Sequence, residues 1–264
     1  MPPQFTANKC AGAATFLAYD AGPNDGPPVV FLHGLGTRRQ DWTAVLREFA
    51  SGNRVFAPDL RGHGDSGRVP GGYRFTQYAD DIIPFLREVV GEPAALVGHS
   101  LGGVIAAVIA ADHPELVATA VAVDPPLFTK RHAGGENPTR YRERFKRAQE
   151  LAASDMTEIG LFTMLQKRSP NRPAYVTRAL ARNLVKLDPD VFTLALEGGK
   201  QLDFDTDDLV ERLARPMLLI QADPENGSAV KEEDAGWAAE KNPLISRLMV
   251  AGSAHEVHHS HRDE

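Results

Sequence analysis

Apolar residues along the chain fall into two alternating rhythms. Six short segments read as strands: "VVFLH" (29–33), an unbroken apolar run suited to burial on both faces, then "NRVFAPDL" (53–60), "AALVGHS" (94–100), "LVATAVAVDPP" (116–126), "PMLLIQAD" (216–223) and "SRLMVAG" (246–252). Between them the apolar positions recur at helical spacing. "DWTAVLREFA" (41–50) has Asp41 as its expected N-cap, and "FTQYADDIIPFLREVV" (75–90) is interrupted by Pro84. "LGGVIAAVIAADHP" (101–114) is apolar nearly all round, hence a buried helix stopped before Pro114, and another helix is expected near "KEEDAGWAAEK" (231–241).

Strands that alternate with helices argue an α/β fold, a doubly wound and mostly parallel sheet covered on both faces. In such a sheet ligands sit beyond the carboxyl ends of the strands, so residues just after a strand are the candidates for chemistry. From Pro125 to Arg215 the rhythm changes. "PTRYRERFKRAQELAA", "MTEIGLFTMLQK", "PAYVTRALARNLVK" and "PDVFTLALEGG" all read as helices with no clear strand. Residues 125–215 are therefore expected to form a helical lid over a core built from 1–124 and 216–264. Within "RYRERFKR", Tyr141 and Phe145 at i and i+4 give that helix a buried face opposite its charges.

A chain of 264 residues buries a sizeable core as one α/β domain. The net charge of −6 is mild, and the basic stretch at 140–147 reads as a solvated helix face, so no nucleic-acid partner is expected. Cys10 is the single cysteine, which removes an intrachain disulfide and any cysteine-based metal site and favours a reducing compartment. The start "MPPQFTANKC" has neither a basic n-region nor an apolar h-region, and the longest apolar run, "VIAAVIAA", is too short to span a bilayer. The expected setting is cytoplasmic, with no membrane partner.

Chemistry concentrates at "VGHSLGG" (97–103), a G-x-S-x-G word between a predicted strand and a predicted helix. A sharp strand-to-helix turn needs positions without bulky side chains, which Gly98 and Gly102 supply while the Ser100 hydroxyl projects into a cleft. The helix starting at Leu101 aims its unpaired backbone N–H groups at an oxygen bound beside that serine. A serine hydroxyl needs a base and the base an orienting acid. His255, just past the last predicted strand, is the expected base. A metal reading of the nearby His258, His259 and His261 is set aside, because they sit at a chain end without an evident second shell.

Three carboxylates end neighbouring strands, and their order of preference as the acid is Asp223, Asp124, Glu225. An oxyanion would be held by the backbone N–H of Leu101 and by a second donor from the loop "HGLG" (33–36), that of Leu35. His33 is expected to brace this loop.

Together these words resemble the α/β-hydrolase superfamily in its lid-bearing branch of small esterases, lactonases, haloperoxidase-like enzymes, C–C bond hydrolases and dehalogenases. "VVFLHGLG" is similar to the oxyanion strand and loop, "APDLRGHGDS" to the loop after the next strand, "VGHSLGG" to the nucleophile elbow and "AGSAHEVH" to the histidine loop. The resemblance implies that His63 is structural and that serine, rather than aspartate, is the nucleophile. It implies a serine hydrolase working through an acyl-enzyme on a small-molecule ester, lactone or related carbonyl substrate, with neither metal nor organic cofactor.

Two alternatives keep the fold: a slow-turnover small-molecule receptor, or a C–C bond hydrolase or perhydrolase using the same residues. In the family pattern a glycine precedes the acid by three residues; Ala222 stands there, which puts Glu225 in the usual slot and leaves the acid open. Family members normally run on past the histidine loop into another helix, whereas the sequence here ends at Glu264. Phe128, Phe145, Leu161, Phe162, Met164 and Phe192 of the lid are candidates to shape the pocket, most of them as lid core.

Overall fold

A computed structural model describes residues 5–23, 25–131 and 139–261. The start of the predicted helix at Pro138 lies outside them. Eight strands form one sheet: β1 (Thr6–Ala11), β2 (Phe16–Ala21), β3 (Pro28–Leu32), β4 (Arg54–Pro58), β5 (Ala94–His99), β6 (Val117–Val123), β7 (Met217–Ala222) and β8 (Ile245–Val250). Their order is β1-β2-β4-β3-β5-β6-β7-β8, with β1, β2 and β4 paired antiparallel and β4, β3 and β5 through β8 paired parallel.

The helices are α1 (Thr43–Phe49), α2 (Phe75–Phe85), α3 (Leu101–Asp112), α4 (Thr139–Ala152), α5 (Glu158–Arg168), α6 (Ala174–Val185), α7 (Thr193–Leu196), α8 (Thr206–Arg212), α9 (Glu232–Lys241) and α10 (Val257–Ser260). Among the described residues none is long and apolar enough to cross a membrane.

The central strand shows why an unbroken apolar run was needed. Successive side chains of a strand point to opposite faces. Val30 and Leu32 of β3 join the main core with α2 and α3, while Val29 and Phe31 join a second core with Trp42 and Leu46. On the first face Leu101 through Ala110 of α3 are all buried. From β3 the chain runs through α1 to β4 on one side, then through α2 to β5 on the other. This reversal opens a crevice beyond the carboxyl ends of β3 and β5, where an α/β sheet binds its ligands.

Two expectations change. The N-terminal hairpin of β1 and β2 was not read from the sequence, since "TANKCA" has no apolar alternation and its side chains are mostly exposed. Asp41 does not cap a helix over 41–50: it lies in a 3₁₀ turn (Arg39–Trp42), α1 starts at Thr43 with Trp42 at its N-cap, and the carboxylate turns to His258 and His259 instead. Pro84 sits inside α2, which runs on as a π-helical turn over Leu86–Val90 and ends at Gly91 with φ +79°.

Between β6 and β7 the described residues form helices joined by turns and loops, with no strand. Leu161 and Leu165 of α5 pack with Ala181 and Leu184 of α6 in a small core of their own. The sequence did not single out α8, whose Leu209 and Val210 are fully buried in the main core.

Candidate active site

β5 ends at His99 and α3 begins at Leu101, so the whole reversal falls on Ser100, whose φ of +51° and ψ of −113° are a conformation that costs a non-glycine residue of order 1–3 kcal/mol. Only glycine fits on either side. A Cβ at Gly98 would stand 2.1 Å from the Gly102 carbonyl oxygen, and one at Gly102 would stand 2.1 Å from the Leu32 carbonyl oxygen. The turn is held by Ser100 N–H donating to Val123 O at 2.8 Å. Ser100, Leu101, Leu35 and His255 all line one cavity of about 180 Å³. As the first residue of α3, Leu101 carries one of the N–H groups that have no partner within their helix.

His255 follows β8, and its Nδ1 lies 2.7 Å from Asp124 Oδ2. A carboxylate accepts, so Nδ1 carries the proton and the lone pair is on Nε2. Asp124 is fully buried and accepts further hydrogen bonds from Ala229 N–H (2.8 Å), Ala222 N–H (3.2 Å) and the Ser228 hydroxyl. Four donors on two oxygens fix its orientation.

It is Asp124, and not the first-ranked Asp223, that stands against His255. Asp223 accepts from Gly252 N–H (2.8 Å) and Glu225 N–H (2.9 Å) and begins the 3₁₀ turn Pro224–Asn226. Those two backbone contacts hold its carboxyl below the ordinary value. Glu225 is exposed on the same turn. Ser228 and Ala229, which orient Asp124, carry no sequence signal of that role.

The loop after β3 is braced by two buried histidines. His33 donates from Nδ1 to Gly34 O (2.9 Å) and accepts at Nε2 from Leu60 N–H (2.9 Å). His63 donates from Nδ1 to Arg61 O (2.8 Å) and accepts at Nε2 from Gly36 N–H (3.0 Å). Each ring is thus neutral. Burial lowers His33 to about 4 and His63 to about 3. Buried Asp59 ties the same loop to the one after β4, accepting from Arg39 N–H (2.7 Å) and Asp65 N–H (2.8 Å) and pairing with the Arg39 guanidinium.

Behind His255 lies a stack of imidazoles. His99 donates from Nε2 to His255 O (3.0 Å), and its ring centroid is 4.7 Å from that of His255 and 4.6 Å from that of His258. His258 Nε2 is 3.3 Å and His259 Nε2 3.0 Å from the Asp41 carboxylate. Burial lowers His258, whereas the hydrogen bond to Asp41 raises His259. Asp41, His99 and His258 bring ligand-type atoms within 4.8 Å of one another. Of these, His258 shares the Asp41 carboxylate with His259, and His99 stacks on the His258 ring.

Of the aromatics in the helical stretch 125–215, Phe128 and Phe145 line the cavity and Phe192 stacks behind Phe145 with centroids 5.4 Å apart. Leu161, Phe162 and Met164 belong to the separate α5–α6 core. Tyr141 also reaches the cavity, and its hydroxyl donates to Gly227 O (2.7 Å), which ties α4 to the loop after β7.

Residues 29–264 match the alpha/beta hydrolase family, a span that includes the β3 loop, the elbow, Asp124 and His255. The chain belongs to this family. This alpha/beta hydrolase is 26% identical to a 2-(acetamidomethylene)succinate hydrolase of Mesorhizobium japonicum over 238 residues, 88% of this chain and 82% of that one. It is 40% identical to a bifunctional esterase/perhydrolase of Acinetobacter calcoaceticus over 115 residues, 42% of each chain. Among solved structures it resembles an N-formylmaleamic acid deformylase from Pseudomonas putida, with a TM-score of 0.78 at 19% identity, covering 98% of this chain and 97% of the other. A likeness at that identity speaks for the fold. The fold and the named hydrolase relatives make this chain an enzyme of the hydrolase type.

Proposed function

We propose that the protein is a serine hydrolase that cleaves a small-molecule ester, lactone or related carbonyl compound through an acyl-enzyme. Ser100 attacks the carbonyl carbon while His255 Nε2 takes the hydroxyl proton, and the imidazolium that forms is held by Asp124. The Leu35 and Leu101 N–H groups receive the oxyanion, each such donor lowering the barrier by about 3 kcal/mol in enzymes of this kind. His255 then gives the proton to the leaving group, and water activated by the same imidazole releases the acid.

The observation that carries this reading is the convergence on one cavity of a strained serine and an imidazole whose Nδ1 is 2.7 Å from a buried carboxylate. The cavity's 180 Å³ is below the roughly 300–1,000 Å³ of sites for drug-sized ligands, in keeping with a small substrate. The relative of M. japonicum, matched over most of both chains, supports hydrolysis of a small acyl compound. The esterase/perhydrolase relative favours a second reading in which hydrogen peroxide, in place of water, takes the acyl group from Ser100 and leaves as a peracid.

A fluorophosphonate probe tests the proposal. It is expected to label Ser100 stoichiometrically, with turnover of p-nitrophenyl acetate that Ser100→Ala abolishes. Labelling without turnover would favour a receptor instead. Peracid release in the presence of peroxide would favour the second reading.

A further inference from the structure

The wall of the cavity that includes the start of α2 carries two polar side chains whose state the proposed chemistry does not explain. Tyr78 is 1% exposed and lines the cavity, and its hydroxyl has no hydrogen-bond partner among the described residues. The same holds for Oε1 of Gln201, which also lines the cavity. Buried polar atoms without partners are uncommon in folded proteins, and each one asks for an explanation.

Other polar side chains around the cavity are engaged. Tyr73 donates to Asp188 Oδ2 (2.6 Å) and accepts from Val69 N–H (3.0 Å). The Thr129 hydroxyl donates to Pro126 O (3.1 Å), and that of Ser228 donates to Asp124.

The two unpaired groups come from one side of the cavity. Phe75 N–H donates to Gln201 O (2.9 Å), which fixes the Gln201 segment to the first turn of α2. Tyr78 is three residues further on, about one helical turn. Ser100 and His255 come instead from the ends of β5 and β8. Burial pushes the Tyr78 hydroxyl well above its ordinary pKa, so it keeps its proton and donates. A glutamine amide offers both a donor and an acceptor.

We infer that Tyr78 and Gln201 form a recognition subsite for a neutral hydrogen-bonding group, a hydroxyl or a carboxamide, carried by the substrate away from the carbonyl that Ser100 attacks. The inference rests on the serine-hydrolase reading above. A neutral group is favoured over a carboxylate because neither subsite residue is charged and the neighbouring walls include Phe75 and Phe128. Among the described residues lining the cavity the Lys or Arg is Lys231, which is more than half exposed and stands 3.6 Å from Glu233. A carboxylate buried beside Tyr78 would lack a paired cation.

Matched substrates test this. One pair compares p-nitrophenyl 3-hydroxybutyrate with 3-methylbutyrate, a second p-nitrophenyl adipamate with heptanoate, and a third 3-hydroxypropyl acetate with butyl acetate. Together they move a polar group along the acyl and alcohol portions at nearly constant shape. The expected result is a kcat/KM at least about tenfold higher for the polar member of one pair, because a site built to bond a polar group rejects the analogue that lacks it. Tyr78→Phe and Gln201→Leu should each bring that ratio close to one. Tyr78→Phe should not lower the melting temperature, since the hydroxyl it removes has no partner in the protein.

Equal rates within every pair, alongside normal Ser100 labelling and acetate turnover, would overturn the inference and leave the hydrolase reading intact. So would a preference that survives both substitutions, or a destabilised Tyr78→Phe. Absence of both labelling and turnover would remove the hydrolase reading and the inference together.

Discussion

Ser100 and Asp124 leave adjacent parallel strands with positive φ, +51° and +45°, and among the described residues they are the two non-glycine positions where φ is positive. Their segments are directly bonded: Ser100 N–H donates to Val123 O (2.8 Å), and Asp124 N–H passes on to Ile220 O (2.7 Å). Strain of this kind persists only where the surroundings over-determine it, and it clusters at functional sites.

The strain at Ser100 makes a stability prediction. Glycine adopts positive φ without steric cost, whereas alanine keeps the Cβ that makes it costly. Ser100→Gly is therefore expected to be more stable than Ser100→Ala by about 1 kcal/mol, or roughly 2–4 °C in Tm, although glycine is usually the weaker choice. Thermal melts of the two inactive variants compare them without interference from turnover. A glycine variant that melts below the alanine variant would mean that the turn carries no strain.

The contact between Asp124 and His255 makes a catalytic prediction. Asp124→Asn keeps the shape and many of the contacts but presents an amide to Nδ1, favouring the tautomer with its proton on Nε2. kcat/KM for p-nitrophenyl acetate should fall by about 10³–10⁴-fold. Asp223→Asn, whose carboxylate meets Gly252 and Glu225 N–H groups rather than His255, should stay within a few-fold of the parent. Steady-state kinetics on both variants decide the matter, and a large loss at Asp223 with a small one at Asp124 would reverse the assignment.

This pair also marks where sequence reading stops. The inner strands of the parallel sheet were legible because burial on both faces favours unbroken apolar runs, and β3, which contributes to both cores, is the clearest case, whereas β8 leaves residues 246–249 exposed. The β1–β2 hairpin was not legible, because an edge strand such as "TANKCA" buries too little to need a pattern. Ser100 and His255 could be named because Ser100 directly follows β5 and His255 lies in the loop after β8. Asp124 and Asp223 follow strands equally well. What separates them is a side-chain direction set by the turn: positive φ at Asp124 brings its carboxylate to the donors of residues 222, 228 and 229, whereas Asp223 begins its own 3₁₀ turn. No spacing rule contains that direction. Tyr78 stayed hidden for a related reason, since an aromatic at helical spacing reads as core, and whether its hydroxyl finds a partner is decided by the packing around it.

His33 and His63 make a prediction about acid stability. Both are fully buried with each ring nitrogen engaged by backbone, and burial lowers them to about 4 and about 3. In the unfolded chain a histidine titrates near 6.5. Below that pH the unfolded state takes up protons that the folded state refuses, so stability is fully present above about 6.5 and declines as pH falls towards the folded values. Each histidine contributes a slope of about 1.4 kcal/mol per pH unit between about 6.5 and its folded value. Urea denaturation from pH 7 to pH 4.5 should therefore show stability falling by up to twice that slope from these two rings. Because His63 accepts from Gly36 N–H beside Leu35, His63→Gln should remove about one proton's worth of the slope and also loosen the loop proposed to receive the oxyanion, lowering kcat more than it raises KM. Nitrogen-15 spectra of the imidazoles provide the direct check: at pH 5 both rings should remain neutral with the proton on Nδ1. Resonances that titrate near 6.5 would mean the two histidines are not the loop's buried braces.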